Sequence, residues 1–296
     1  MYRIEKVLNH NTVIAISTEN NQEYLIMGKG IGFGRKINER MEAGLEDTIY
    51  SLQESTDRGD ASKLAKSISP VCLEIADEVL KNAEKAFGKI DRNMLFPMAD
   101  HIEYAVKRIK NHEQISNPLT EDIRILFHAE YKVAQCIQDI LREKLDVQID
   151  DDEIGYIALH IHSAIEDEKV SQAMQMAQAV RECVSLVEKE IGRPIDVLSL
   201  SYNRLMNHIR YMVVRTLKGE QLKVSMNDYM EVKFPKSFQI AQTVCDQVSH
   251  DLRRQLSEEE IGYLAMHIER VTSAELENVE CCLLYTSPSP RDSTSS

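Results

Sequence analysis

A ten-residue pattern occurs twice in this chain, and that duplication limits the possible folds more than any other feature. Asp152-Glu153-Ile154-Gly155-Tyr156-Ile157-Ala158-Leu159-His160-Ile161 returns 107 residues later as Glu259-Glu260-Ile261-Gly262-Tyr263-Leu264-Ala265-Met266-His267-Ile268. The same offset carries Ala134-Gln135 to Ala241-Gln242 and His101-Ile102 to His208-Ile209. Two histidines therefore stand 59 residues apart in each copy. This period is far longer than the roughly 20–50 residues of a stacking solenoid unit, so each copy must close its own core. From Leu64 to about Ala274 the apolar spacing is helical. Pro70, Pro97, Pro118, Pro194 and Pro235 mark helix starts or interruptions, and Gly88, Gly192 and Gly219 mark helix ends. The expectation is two all-helical bundles in tandem.

Before them the pattern changes. Arg3 to Leu8 and Val13 to Ile16 are β-branched and near-alternating, with a turn at Asn9-His10-Asn11. Glu19 to Gln22 makes a second turn before Tyr24 to Met27, and Gly30 to Lys36 is a fourth strand candidate. So small an antiparallel sheet is expected to dimerise. Strand character ends near Gln53, and Glu54 to Ser62 reads as a polar linker. The fold class is thus multidomain: a small antiparallel β-sheet domain (1–56), a linker (57–63), and two helical-bundle domains (64–169 and 170–276). Residues 281–296, rich in Ser, Thr and Pro, read as an artefactual tail outside the fold. Cys72, Cys136, Cys183 and Cys245 are scattered singly and read as small buried residues. The chain has no C-x-x-C, so no zinc or redox motif is indicated.

A net charge of −13 argues against salt-driven binding to bulk nucleic acid or to an anionic membrane. The charge is uneven. Residues 1–40 carry six basic and four acidic side chains; residues 1–56 stand at −2 and the tail at zero, leaving −11 for 57–280. No apolar run approaches the roughly 18 residues of a membrane span, and no signal peptide precedes Ile4. A cytoplasmic protein without membrane insertion is expected.

The repeated histidines lie in amphipathic segments. Ile154, Ile157, Ala158 and Ile161 form an apolar stripe, and His160 lies at its edge with a ring nitrogen expected to be reachable from solvent. Asp150 to Asp152, and Ser257 with Glu260, read as helix-capping signals. Core packing is the plainest role for any single histidine. Metal ligation lacks its spacing: no histidine has Glu three residues before it, and H-E-x-x-H is absent. Acid–base catalysis would need a partner, and the adjacent acid Asp100 becomes Asn207 in the second copy. The remaining chemistry is phosphoryl acceptance, since neutral imidazole is a good nucleophile near pH 7. Each phosphate adds roughly −1.5 to −2 charge. Lys107, Arg108, Arg204, Arg210 and Arg270 are candidate receivers.

Gly28-Lys29-Gly30-Ile31-Gly32-Phe33-Gly34-Arg35-Lys36 is neither a P-loop nor a dinucleotide fingerprint. Alternate glycines allow a backbone or ligand to approach closely. An aromatic ring among cations suits RNA stacking and phosphate contact, with Asn11 and Lys6 nearby. A glycine-rich hairpin with ordinary surface charges fits the same residues.

Taken together, the chain resembles the BglG/SacY/LicT-type transcriptional antiterminators of bacteria over about residues 2–275. The residues that carry the resemblance are Lys6-Val7-Leu8-Asn9-His10-Asn11, Met27 to Phe33, Asp100-His101-Ile102 and the two Glu-Ile-Gly-Tyr…His segments. The run from Asp152 to Ala164 and Phe234-Pro235-Lys236 look most like the glucose-type branch. The resemblance implies a homodimeric co-antiterminator (CAT) RNA-binding domain followed by two phosphotransferase-system regulation domains (PRDs). Such a protein binds a leader mRNA hairpin and prevents terminator formation in a sugar-uptake operon. It implies RNA contacts at Lys6, Asn9, Asn11, Gly28, Lys29 and Phe33, and phosphorylation at His101, His160, His208 and His267. It implies the phosphocarrier HPr and a sugar-specific Enzyme II as donors, with no cofactor and no enzymatic activity. Two departures stand out: Lys29 where some relatives have Arg, and Asn207 rather than Asp before His208. The competing expectation is a PRD-bearing DNA-binding transcriptional activator.

Overall fold

Five short strands open the chain: β1 (Tyr2–Asn9), β2 (Thr12–Ser17), β3 (Glu23–Met27), β4 (Arg40–Met41) and β5 (Thr48–Ser51). The computed structural model describes residues 1–53, 55–56, 59–113, 115–166, 169–197 and 199–284. The strands form one antiparallel sheet in the order β4-β1-β2-β3-β5. Central β2 is apolar along Val13 to Ile16 because it is covered on both faces. Ile4, Val13, Ala15, Ile26, Ile31 and Met41 pack together on one of them. Register is set by Val13 opposite Ile26 and Ile14 opposite Leu25.

The expected strand from Gly30 to Lys36 does not form. That segment is a run of tight turns, with Ile31 N, Phe33 N and Arg35 N donating to the carbonyls of Gly28, Gly30 and Gly32. Gly30 (φ +72°) and Gly34 (φ +68°) take left-handed backbone that no extended strand contains. The sheet instead gains β4 and β5, which the sequence pattern did not reveal. Nor does strand character end at Gln53: Ser55–Thr56 (β6) pairs with Gly59–Asp60 (β7). Of the expected linker, Glu54, Asp57 and Arg58 lie outside the described residues.

Helices follow: α1 (Ala61–Ser67), α2 (Pro70–Phe87), α3 (Leu95–Lys110), α4 (Thr120–Leu126), α5 (His128–Ala134), α6 (Cys136–Leu145), α7 (Asp151–Glu166), α8 (Val170–Ile191), α9 (Leu200–Lys218), α10 (Asn227–Lys233), α11 (Pro235–Leu252) and α12 (Glu259–Leu284). Pro70 and Pro235 open α2 and α11, where a missing N–H costs nothing. Gly219 ends α9 in the left-handed conformation. The duplication is visible element by element. Shifting α4 by 107 residues gives α10, and shifting α5 with α6 gives α11, which runs unbroken. Cys72, Cys183 and Cys245 are buried, whereas Cys136 is half-buried. The first four residues of the expected tail continue α12, and 285–296 lie outside the described residues.

The chain divides into two compact units, 1–174 and from Gln175 onward. In the first, the sheet packs directly on helices. Tyr50 of β5 donates through its hydroxyl to Asp77 of α2 at 2.6 Å and meets Phe96 of α3 edge-on at 6.3 Å. Glu23 of β3 accepts from Ser62 (2.7 Å) and Lys66 (3.3 Å) of α1. No helix among the described residues is long and apolar enough to cross a membrane.

Candidate functional site

Each histidine pair converges. His101 on α3 faces His160 on α7, ring centroids 5.4 Å apart, with Tyr156 5.3 Å from His101. On α9 and α12, His208 stacks on His267 at 4.8 Å and Tyr263 lies 6.4 Å from His208. The expected apolar stripe of Ile154, Ile157, Ala158 and Ile161 is buried. His160 departs from expectation: it is 3% exposed rather than solvent-reachable at an edge, because α3 covers that side of α7.

His101 has an acidic partner beyond the adjacent Asp100. It is Glu153, in the first turn of α7, whose carboxylate lies 3.2 Å from His101 Nε2 and also accepts from Arg108. Glu260 occupies the equivalent place on α12 and accepts from Arg215 through both oxygens, at 2.7 and 2.9 Å. His208 Nε2 is 3.8 Å from Glu260, beyond hydrogen-bond reach, and has no hydrogen-bond partner among the described residues. Five positions thus recur at one offset: His101, Arg108, Glu153, Tyr156 and His160 become His208, Arg215, Glu260, Tyr263 and His267. The repeat itself held the signal for Glu153 and Glu260, but their partners stand on another helix.

Burial, with the charges of His267 and Arg215, lowers the His208 pKa to about 3. Burial, with Arg270 and Arg204, lowers that of His267 to about 4. Both rings are neutral at pH 7, the protonation state a nucleophile requires. Of the other candidate receivers, Lys107 is held by Glu103 at 2.6 Å. Among the described residues no group of three metal-ligating side chains converges.

The helix starts differ in detail from the expected caps. Asp150 does accept from Glu153 N at 3.1 Å. Ser257, however, directs its hydroxyl to Glu259, and Glu260 turns to Arg215 rather than back to Ser257, so no capping box forms. The repeated glycine of the motif is explained at Gly262, where a Cβ would lie 2.7 Å from Asn227 Oδ1 and 2.8 Å from the Met226 backbone.

The second cluster lies at one end of the sheet. Asn11, in the β1–β2 turn, accepts from Gly28 N through its carbonyl and from Gly30 N through Oδ1, both at 2.9 Å. Gly32 N donates to the His10 carbonyl, and Phe33, 72% exposed, meets His10 edge-on at 5.4 Å. Asn9, Asn11, Gly28, Lys29 and Phe33 therefore share one loop pair, with Lys29 exposed between two glycines tied to Asn11. Lys6 is exposed on β1 opposite Ile14. The two asparagine amides face a helix: Asn9 Nδ2 donates to Glu74 of α2 at 2.6 Å and Asn11 Nδ2 to the same carboxylate at 3.5 Å.

Comparison with known proteins places both clusters inside regions matched by family profiles. The sequence profile of the CAT RNA binding domain matches residues 2–58, and that of the PRD domain matches 64–164 and 181–271. The chain is 31% identical over 271 residues to Protein GlcT of Staphylococcus epidermidis, covering 90% of this chain and 95% of that one. It is 28% identical to the GlcA/glcB genes antiterminator of Staphylococcus carnosus (94% and 98% covered). It is 27% identical to the beta-glucoside operon antiterminator of Dickeya chrysanthemi (92% and 97% covered). Among solved structures, the GlcT CAT-PRDI crystal structure aligns at 30% identity with a TM-score of 0.48, covering 56% of this chain and 98% of that one.

Proposed function

Because this chain belongs to the BglG/SacY-type antiterminators, glucose-type branch, and is an RNA-binding antiterminator of a sugar phosphotransferase operon controlled through its PRDs, we propose that His101, His160, His208 and His267 are the phosphoacceptors of that control. One observation carries the reading: two facing histidine pairs, His160 buried and the other three rings half-buried, each pair with the same Glu and Arg beside it, on helices related by a single 107-residue offset. A purely structural histidine needs no such duplicate. The donors are HPr and a sugar-specific Enzyme II, and the protein works in the cytoplasm as a homodimer. Its domains are the sheet (1–56), a joining segment (57–63) and the two PRDs (64–169 and 170–276).

RNA recognition falls to the sheet end. Phe33 stacks on a base of the leader hairpin, Lys6 and Lys29 meet phosphates, Asn9 and Asn11 donate from their amides, and Gly28 lets the RNA backbone approach. The match of residues 2–58 to the CAT RNA binding domain favours RNA over the DNA-binding alternative.

The test is incubation of the full chain with phosphorylated HPr, and with membranes bearing phosphorylated Enzyme II, followed by mapping of acid-labile phosphate. Label on the four histidines is expected. Its absence from all four would remove the phosphorylation control.

A further inference from the structure

The two histidine clusters share residues but not hydrogen bonding. Glu153 is 4% exposed and lies between Arg108 and His101; Glu260 is 1% exposed and gives both oxygens to Arg215. A carboxylate that accepts from a guanidinium presents acceptor oxygens to its other neighbours. His101 must then carry its proton on Nε2, which leaves the lone pair on Nδ1. We propose that Glu153 is the positioning residue that makes His101 Nδ1 the atom receiving phosphate. In the second domain His208 Nε2 stands 3.8 Å from Glu260, out of hydrogen-bond reach, so the first domain is set for transfer and the second is not until that gap closes.

The chemistry balances. The Nδ1 lone pair of His101 forms the new N–P bond as the N–P bond of a phosphohistidine donor breaks. The donor imidazole leaves with that electron pair, neutral because its other nitrogen keeps a proton. His101 keeps its Nε2 proton, and the positive charge developing on its ring is stabilised by Glu153, as a buried carboxylate stabilises an imidazolium in hydrolase triads.

This inference rests on His101 being a phosphoacceptor, and one experiment separates the two claims. The full chain, labelled with 15N-histidine, is phosphorylated by HPr and the linkage isomer read by NMR. Phosphate on Nδ1 of His101 is expected, with labelling slowed at least about tenfold in Glu153→Gln and partly restored in Glu153→Asp. Phosphate on Nε2 in the unmodified chain overturns the positioning role without needing any variant. So does an unchanged labelling rate in Glu153→Gln. No label on His101 in the unmodified chain overturns the acceptor role itself.

A separate contact at the sheet end carries a second inference. The Glu74 carboxylate takes both side-chain amides of Asn9 and Asn11, at 2.6 and 3.5 Å, and is backed by Lys144 at 4.0 Å. Its two oxygens present to those amides what two phosphate oxygens would. We infer that Glu74 is an intrachain competitor of RNA, and that α2 must withdraw from the β1–β2 turn before the hairpin can bind.

The measurement is full-chain affinity for the leader hairpin of the operon it regulates. Glu74→Ala should bind about tenfold tighter. Glu78→Ala removes an acid from the same helix that the asparagines do not touch, and should leave affinity unchanged. No gain in Glu74→Ala, or an equal gain in Glu78→Ala, overturns the competition. Unchanged affinity in Asn11→Ala would instead remove Asn11 from the RNA site.

Discussion

Phe33 is 72% exposed and meets the edge of His10, so its ring contributes little to the fold. Phe33→Ala should weaken hairpin binding by about 1–3 kcal/mol while shifting stability by less than about 0.5 kcal/mol, as read by RNA titration and thermal melting. Gly32 behaves in the opposite way. A Cβ there would lie 2.2 Å from the Asn9 carbonyl, and backbone cannot rotate aside. At Gly28 the obstacle is only the Asp47 side chain. Gly32→Ala should therefore cost about 1–3 kcal/mol of stability, and more than Gly28→Ala in paired urea titrations. The close approach at Gly32 was legible in the sequence as glycine content. The turns at Gly30 and Gly34 were not, because alternate glycines suit a stripped strand face and a chain of left-handed turns equally. Glu153 and Glu260 were hidden for another reason: the sequence shows an acid beside a histidine only when both share a segment.

At the scale of elements, α9 and α12 hold two histidines in the neutral state. Their folded pKa values, about 3 for His208 and about 4 for His267, lie below the ordinary value of 6.5. A depressed histidine favours the folded state fully above its unfolded pKa, because below that value only the unfolded chain gains the proton. The stability is lost as pH falls from about 6.5 towards the folded values. The unfolding free energy of the full chain, read by urea titration, should drop between pH 7 and 5 by up to about 1.4 kcal/mol per pH unit for His208. His208→Gln should flatten that slope, and an unchanged slope would remove His208 as its source. The helices were legible because Pro70, Pro235 and Gly219 act locally. The break between α5 and α6, joined as one helix in the second copy, was not, since nothing within Ala134-Gln135-Cys136 marks it.

For the whole molecule, the charge map sets how RNA binding responds to salt. The chain carries −13 overall, while Lys6 and Lys29 are the phosphate contacts proposed at its RNA-binding end. Each neutralised phosphate contributes about 0.7–0.9 to the salt slope, so a dimer using these two lysines should show a slope no steeper than about −4. Lys29→Ala should reduce it by about 1 per protomer engaged, measured by titration at several salt concentrations. The duplication was legible because residues repeat. The packing of the sheet on α1, α2 and α3 was not, because Tyr50–Asp77 and Glu23–Ser62 join residues that no local pattern links. The burial of His208, 9% exposed and stacked on His267, has a kinetic consequence. If His208 is a phosphoacceptor as proposed, a donor protein would reach it only in molecules where the pair has opened, and the observed rate would be the intrinsic rate scaled by the open fraction. On that proposal, a substitution that tightens the second bundle would make the protein more durable and, to the same degree, slower to take up phosphate there.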